Sequence, residues 1–318
     1  MYLWALRIVP GTQAVGHETS GTEDSRLSHV SLAMTEERLA ELLEHLIEEF
    51  SSKALDEFKE RMNKWSVDLS QQHIHNVIGA IVARQVTLAC QIAGSPNIWN
   101  DHSAPLFLRT MADTYITLAW LLRDPSDRCR KFIHYGLGQQ KLQLEHLKIQ
   151  IASGELSSNV SEQIELTENW INAQRATFLT DVDLGSWSGI STREMAQEVG
   201  CLDFYNFVYT PFSACTHSMW HHVGRFNLRY CRNPLHKHHA VPDVPRSLID
   251  SHYLFLTAKY LQKTFDVFDE SIGGKMERQS TFSYVCSELD RLARLGSDEA
   301  RPDLLSTKSS CVSEDKHD

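Results

Sequence analysis

The sequence predicts an all-α protein, a bundle of about eight or nine helices. Apolar residues recur at the spacing of an amphipathic helix along most of the chain, as from Leu39 through Leu42 and Leu46 to Phe50. Glycine, proline and helix-capping residues interrupt this pattern where helices would end. No stretch of useful length alternates apolar and polar residues as a half-buried strand does, and no internal repeat is found.

The two ends of the chain differ in composition from its middle. The first residues are rich in Gly, Thr, Ser and His and show no steady period, which predicts a mobile leader. A first helix is expected at Thr35, which can cap it, so Met34 is an alternative to Met1 as the translation start. The expected organisation is a leader (1–33), a single helical core domain (34–296) and a disordered polar tail (297–318).

Glycine and proline mark the boundaries of the long helices. Gly94 and Pro96 end the second helix. Asp124 and Pro125 provide a cap followed by proline at the first helical position, so a new helix begins directly after the third. The helices expected after the first cover about 70–93, 104–123, 125–151 and 157–178.

The second half of the chain predicts shorter elements. Residues 180–192 are expected to form a loop, after which Ser191 or Thr192 caps a short helix that Gly200 closes. Pro211 predicts either a kink or a new helix start. A loop marked by Pro234, Pro242 and Pro245 and two helices at about 246–271 and 276–295 complete the core.

Composition restricts the class of protein. A net charge of −10 over 318 residues argues against a general nucleic-acid coat protein, although a local basic patch remains open. Seven cysteines without a C-x-x-C pair are typical of free thiols in a reducing cytoplasm. The start lacks the pattern of a signal peptide. Residues 105–122 are the most apolar run, but Arg109 and Asp113 inside it would be costly in lipid, so no membrane span is expected.

Arg109 and Asp113 form the first candidate site. They are one helical turn apart on a helix that is apolar on nearly every side, so their common face is expected to be enclosed. One interpretation is a structural ion pair that joins two helices. The other is an arginine that binds an anion while the carboxylate orients it.

The segment YNFVYTPFSACTHSMWHH provides the second candidate. Its polar residues recur every four positions, so each drifts by about 40° around a helix and only neighbours share a face. They could line a pocket or form the solvent-exposed edge of a helical core. The residues are Tyr205, Tyr209, Ser213, His217 and His221.

Two catalytic interpretations of this segment lack necessary parts. Ser213 and His217 as nucleophile and base would need a third group and an oxyanion hole, and no G-x-S-x-G turn is present. Zinc could be bound by residues from the set His217, His221, His222, Cys215 and Cys231. Of these, His217 and His221 have the spacing of zinc ligands, but neither H-E-x-x-H nor paired Glu-x-x-His motifs occur. We therefore expect no metal and no other cofactor.

Residues 217–246, called the basic segment below, reverse the overall charge. The segment contains six histidines and one acid, Asp243. Its five cations are Arg225, Arg229, Arg232, Lys237 and Arg246. Such a segment can attract RNA or another phosphate-bearing ligand, or it can be a solvated helix end and loop.

Two arginine–histidine pairs have the spacing of metal-free ribonuclease sites, in which histidine moves protons and arginine stabilises phosphate charge. Arg128 precedes His134 on a predicted helix, and Arg232 precedes His238 in a stretch that Pro234 keeps from being helical. Matches of this kind also arise by chance in a chain with 16 histidines.

An ordered set of motifs carries a family resemblance over about residues 70–225. The motifs are Arg109-x-x-x-Asp113, Asp124-Pro125, Arg128, Phe132-x-x-Tyr135, Thr192 to Ala196, Gly200 and the four-spaced residues from Tyr205 to His217. This order resembles a bacterial helical family known as the domain of unknown function numbered five-six-seven-seven, which usually has Glu at the position of Asp113. The resemblance implies an all-helical fold and a site shared by the Arg–acid and Ser–His helices, but no known reaction. Members are suspected in mobile-element or phage-defence settings, and some similar-looking helical defence families are ribonucleases of the HEPN type.

These observations combine into two hypotheses for a cytoplasmic protein that could be a homo-oligomer. In the first, a metal-independent HEPN-like ribonuclease places Arg109 and Asp113 across an enclosed pocket from Ser213 and His217, which acts as the acid–base group. Its expected substrate contacts are Tyr205, Tyr209, His221, Arg225, Arg128 and His134. In the second, the protein is a non-catalytic ligand-binding or interaction module, and the same polar cluster is structural.

Overall fold

The computed structural model describes residues 7–8, 24–153, 160–178, 188–273 and 278–298, and it confirms the all-α prediction. The helices are α1 (Asp24–Lys64), α2 (Gln72–Ala93), α3 (Ala104–Leu121), α4 (Pro125–Ala152), α5 (Val160–Phe178), α6 (Thr192–Glu198), α7 (Leu202–Phe204), α8 (Thr210–Thr216), α9 (Trp220–Phe226), α10 (His252–Ile272) and α11 (Thr281–Asp298). Single 3-10 turns at Leu69–Gln71 and Pro96–Ile98 precede α2 and α3, and a π-helical turn, Tyr205–Tyr209, joins α7 to α8.

Four short strands complete the described part of the chain. They are β1 (Arg7–Ile8), β2 (Leu228–Tyr230), β3 (Ala240–Pro242) and β4 (Ile249–Asp250). β1 pairs antiparallel with β4, and β2 pairs antiparallel with β3 to form a hairpin. Strands of two or three residues are too short to produce an alternating pattern, so sequence periodicity cannot reveal them.

The core lies where α2 and α3 pack against each other and against α10, with α1 and α11 on one side. Phe50, Ile78, Leu108 and Phe265 bring apolar side chains from four of these helices into it, and all are almost completely buried. Trp99 is also buried, and its indole N–H donates to the carbonyl of Ile92 at 2.6 Å, so the polar atom is satisfied.

Local capping chemistry explains the boundaries around the short α6. The Ser191 hydroxyl accepts from the backbone N–H of Glu194, and the Glu194 carboxylate accepts from the backbone N–H of Ser191. Gly200 then ends the helix with a φ of 74°, in the left-handed region that favours glycine. The predicted short helix is therefore confirmed. The predicted loop before it lies largely outside the described residues.

Helix boundaries differ from the prediction at three other places. α1 begins at Asp24 rather than at Thr35, and β1 also lies inside the range that we predicted as a leader. α10 begins at His252 rather than near residue 246, because the preceding residues Ile249 and Asp250 pair with β1. α11 ends at Asp298, slightly beyond the predicted end of the core.

A buried ion cluster joins α1, α10 and α11. The Arg61 guanidinium donates through Nε and a terminal nitrogen to both carboxylate oxygens of Asp269, each at 2.8 Å, and forms an ion pair with Glu57 at 3.1 Å. Glu57 also accepts from the hydroxyl of Thr281 at 2.6 Å. Since charges in the interior must be paired, this cluster fixes how the three helices meet.

One helical stretch among the described residues, Leu69–Ala93, is long and apolar enough to cross a membrane, with a mean hydropathy of 1.3. It is the central helix α2 with its preceding turn, and 56% of its most apolar window is buried in the protein. A core helix passes the same test, so its length and composition do not require a membrane.

Candidate functional site

Arg109 lies on the face of α3 that packs against the π turn and α8. Its Nε donates to the Ser213 hydroxyl at 2.7 Å, and a terminal nitrogen donates to the Tyr209 hydroxyl. The other terminal nitrogen lies 3.5 Å from a carboxylate oxygen of Asp113, one turn along α3. The expected meeting of the Arg–acid helix with the Tyr-Tyr-Ser residues is therefore found, and all three guanidinium nitrogens face protein acceptors.

Aromatic stacking adds to these hydrogen bonds. The Arg109 Cζ atom lies 3.3 Å from the centroid of the Tyr209 ring, so the cation sits over the π face. The Tyr205 ring stacks against Tyr209, with centroids 4.6 Å apart and an interplanar angle of 21°. We call Arg109, Asp113, Tyr205, Tyr209 and Ser213 the arginine cluster.

The π turn explains why Tyr205, Tyr209 and Ser213 all reach this cluster. In a regular α-helix, residues four apart drift by about 40° in one direction. A π turn has more residues per turn, so the same spacing drifts the other way and the two offsets compensate. Pro211 supplies a cause, because it lacks an N–H and its ring would clash with the carbonyl of Phe207 in a regular helix.

The arginine cluster is half-open, not enclosed as we expected. The Arg109 side chain is 17% exposed and the Asp113 side chain 46% exposed. Partial burial raises the pKa of Asp113, and the nearby Arg109 charge opposes this shift. Burial also raises the pKa of Tyr209, against a hydrogen bond from Thr192, so the phenol stays protonated and can hydrogen bond at neutral pH.

His217 does not join the cluster. It is the residue at which α8 ends, and its side chain is exposed. Its backbone N–H donates to the carbonyl of Ser213 at 3.0 Å, but among the described residues no hydrogen bond or ring contact links its imidazole to Arg109 or Ser213. The Ser213 hydroxyl donates instead to the carbonyl of Tyr209 at 2.9 Å, so the serine–histidine pair is not formed. Ser218, with a φ of 49°, then turns the chain into α9, where His221 is also exposed.

The four-spaced residues thus divide into two groups, and both interpretations of their pattern apply to part of it. Tyr205, Tyr209 and Ser213 are half-buried against α3, while His217 and His221 lie in solvent. The end of α8 separates the two groups, because regular helical geometry stops at His217. The predicted pocket shared by Arg109 and His217 is therefore not present.

The first predicted arginine–histidine pair is also not formed. Arg128 donates to the carbonyl of Trp120 at 2.7 Å, stacks over the Trp120 ring at 3.9 Å, and forms an ion pair with Glu198. Glu198 also accepts from the Trp120 indole at 2.8 Å, and its hydrogen bond to Arg128 lowers the pKa of the carboxyl. Arg128 therefore links α4 to α6, while His134 is half-buried on α4. From the sequence we did not identify Glu198, because no motif or spacing in the sequence marks this residue as a partner of Arg128.

The basic segment covers α9, the β2–β3 hairpin and the residues after it, and most of its side chains are exposed. Arg229 lies 3.6 Å from Asp243, with side chains that are 49% and 39% exposed, and the segment as a whole keeps five cations against this single acid. Large apolar side chains are exposed in the same segment: Trp220 at 75%, Tyr230 at 79% and Leu235 at 86%. From the sequence we identified the cations of this segment as a possible binding surface but did not identify Trp220, Tyr230 or Leu235.

The sequence model of a family of unknown function, DUF5677, matches residues 75–231. Over that region, the chain belongs to this family. The DUF5677 region runs from α2 to the first residue after β2, so it contains the arginine cluster and the start of the basic segment. No curated protein and no solved structure shows significant similarity to the chain. Membership of DUF5677 therefore supports the predicted resemblance but brings no reaction with it.

Proposed function

We propose that the protein binds single-stranded RNA through the basic segment, and that the arginine cluster is a structural link between α3 and α8. The observation that carries this proposal is the combination of exposed aromatic rings and cations in one segment. The segment has five basic residues and one acid, a net charge of +4 within a chain of −10. Single-stranded nucleic acids are bound by such surfaces, because cations contact the phosphates and aromatic faces stack on the bases.

Trp220 is the strongest candidate for base stacking. One side of its ring rests against Gly224, where an added Cβ would lie 3.2 Å from the indole Cε2 atom. Glycine at that position lets the ring lie close to the helix, while 75% of the side chain remains exposed. The exposed face of this ring is free to stack on a base.

The cations of the basic segment supply the electrostatic part of binding. Arg225 lies on the same helix as Trp220, and Arg229 and Arg232 follow in and after β2. All three are exposed, so they can contact phosphates without breaking a buried interaction. Arg109, by contrast, already donates to Ser213 and Tyr209, and a phosphate could bind it only by replacing these partners.

Fluorescence anisotropy with a short, unstructured, labelled RNA tests this proposal. We expect Trp220→Ala to weaken binding by about 1–3 kcal/mol, the usual contribution of one stacked base. Removing Arg225 and Arg232 should reduce the slope of log K against log salt by about 0.7 per cation. Trp170→Ala is the matched control, because Trp170 is 51% exposed on α5, outside the basic segment. Equal loss in both tryptophan variants, or no binding at low salt, would show that the basic segment is not the RNA site.

Cleavage of the bound RNA is a second candidate function, because His217 presents an exposed imidazole at the start of the basic segment. Such a group can transfer protons to or from RNA without a metal. Labelled RNA incubated with the protein and a chelator should then be cut by the wild type. His217→Ala should retain RNA affinity and lose cleavage, whereas intact RNA in the wild-type reaction leaves binding alone as the function.

A further inference from the structure

We propose that the loop of the β2–β3 hairpin binds a zinc-type divalent metal ion through Cys231, His236 and His239. The sequence interpretation considered zinc at His217, His221, His222, Cys215 and Cys231, of which only Cys231 belongs to the set found in the structure. The side chains of His217 and His221 lie in solvent on either side of a chain turn. The structure assembles a different set, C-x-x-x-x-H-x-x-H, in which one ligand atom from each residue lies within 4.8 Å of the others. This inference does not depend on RNA binding.

The backbone of the hairpin brings these three residues together. The N–H of Cys231 donates to the carbonyl of His239 at 2.9 Å, directly after the last β2–β3 pair, Tyr230 with Ala240. Within the loop, the N–H of His236 donates to the carbonyl of Asn233 at 3.0 Å, and that of His239 donates to the carbonyl of His236 at 3.2 Å. These two turns fold the loop back, so both imidazoles come to the loop end of the hairpin beside the thiol.

The side-chain distances fit a tetrahedral metal. Zinc bonds of about 2.3 Å to sulfur and about 2.05 Å to nitrogen, at a tetrahedral angle, place the two ligand atoms about 3.6 Å apart. The Cys231 Sγ atom lies 3.6 Å from Nδ1 of His236. The His236 and His239 rings are 5.5 Å apart between centroids and are tilted to each other at 66°, so neither ring covers the other. A small rotation of the exposed His239 side chain would complete the set.

Binding requires a defined movement of protons. The amide nitrogen of Asn233 lies 3.2 Å from Nε2 of His236, so Nε2 accepts from this amide in the tautomer whose hydrogen is on Nδ1, the atom 3.6 Å from sulfur. When Nδ1 binds the metal, that hydrogen moves to Nε2, and the exposed Asn233 amide turns away. The thiol loses its proton to solvent, since the thiolate is the ligand.

The ligand set indicates the class of metal and an open coordination position. Thiolate and imidazole together favour zinc and its neighbours in the first transition row over calcium or magnesium, which prefer oxygen ligands. Three protein ligands leave one tetrahedral position for water, as in zinc sites that are not purely structural. Arg232 and Lys237 flank the ligands in sequence but are exposed, so solvent screens their charges.

Cobalt substitution tests this inference. The full chain, free of any histidine tag and treated with a chelator, is titrated with Co²⁺ alone and then with Zn²⁺ in competition. We expect one Co²⁺ per chain, with the visible spectrum of a tetrahedral ion and a sulfur-to-cobalt charge-transfer band that Zn²⁺ removes. Cys231→Ser should abolish that band, and His236→Ala and His239→Ala should each weaken binding at least about tenfold.

His238→Asn is the matched control, because His238 lies in the same loop outside the cluster. Its φ is 62°, a left-handed conformation that asparagine tolerates. This variant should bind Co²⁺ like the wild type. An equal loss in His238→Asn and His236→Ala would indicate adventitious binding by exposed histidines. A wild-type spectrum without the charge-transfer band would overturn the proposal directly, whether or not any variant folds.

Discussion

The guanidinium of Arg109 lies over the ring of Tyr209, with 3.3 Å between its Cζ atom and the ring centroid, and it donates a hydrogen bond to the hydroxyl of the same tyrosine. Two residues 100 positions apart in the chain therefore make two contacts, a cation–π contact and a hydrogen bond. This contact fixes α8 against α3, which makes the arginine cluster a determinant of stability.

We expect Arg109→Ala to lower the free energy of unfolding by about 2–4 kcal/mol, because charge-assisted hydrogen bonds and a partly buried cation–π contact are lost together. Ser213→Ala should cost about 1–2 kcal/mol, since only one partner of the guanidinium disappears. Urea unfolding measures both effects. Arg84→Ala, at an exposed position of α2, serves as the control and should change stability by less than about 0.5 kcal/mol. A similar value for Arg84→Ala and Arg109→Ala would contradict a structural role for the cluster.

We expect a larger effect at Arg61. Arg61→Met should cost about 3–5 kcal/mol, because Glu57 and Asp269 would remain as charges without their partner, and Glu57 is only 2% exposed. Arg291→Met removes an ion pair with Glu288 whose two side chains are 46% and 21% exposed, so it should cost less than about 1 kcal/mol. Chemical denaturation gives the free energy of unfolding of both variants. Equal losses would mean that burial of the ion cluster contributes little to stability.

We expect the buried His73 to lower the free energy of unfolding in mild acid. Burial lowers the pKa of this histidine below its ordinary value, and its ring nitrogen contacts the carbonyl of Ser126 at 3.2 Å. As the pH falls below about 6.5, the unfolded chain takes up a proton that the folded protein binds less readily, so stability decreases. His73→Gln should flatten this part of the stability curve in thermal unfolding at several pH values. The exposed His146→Gln should leave the curve as it is; an unchanged slope in His73→Gln would refute the assignment.

Gly200 and Gly136 should respond to alanine with opposite signs. Gly200→Ala should destabilise the protein by about 1–2 kcal/mol, because its φ of 74° is strained for a residue with a Cβ, and Gly200→Asn should cost less. Gly136→Ala should stabilise it by about 0.4–1 kcal/mol, since Gly136 lies inside α4 with nothing within 4 Å of an added Cβ. Thermal melting of the three variants gives the comparison. Stabilisation by both alanines would show that the left-handed turn after α6 is not needed.

Much of the helical structure could be predicted because its signals are local. The Ser191 cap, the Asp124–Pro125 helix start and the Gly200 stop depend on residues only a few positions apart, and the structure places each where the sequence indicated. The start of α1 was the main error. Thr35 is a possible capping residue, but α1 begins eleven residues earlier, at Asp24. A capping residue does not by itself prevent a helix from extending past it.

The site was only partly predictable. Helical spacing placed Arg109 with Asp113 and Tyr209 with Ser213, but it could not show that the Ser213 hydroxyl would donate to a backbone carbonyl and leave His217 in solvent. The buried cluster around Arg61 was missed, because a glutamate and an arginine one turn apart look the same on an exposed helix face.

The sequence by itself determined the all-α class, most helix boundaries and the local reversal of charge in residues 217–246, since each depends on neighbouring residues. Only the tertiary structure decided that Arg109 reaches Ser213 over 104 positions, that Arg61 reaches Asp269 over 208, and that Cys231 meets two histidines in a hairpin. The physical reason is that periodicity and caps report interactions within a few residues of one another. Contacts between distant side chains depend instead on how all the buried faces pack together.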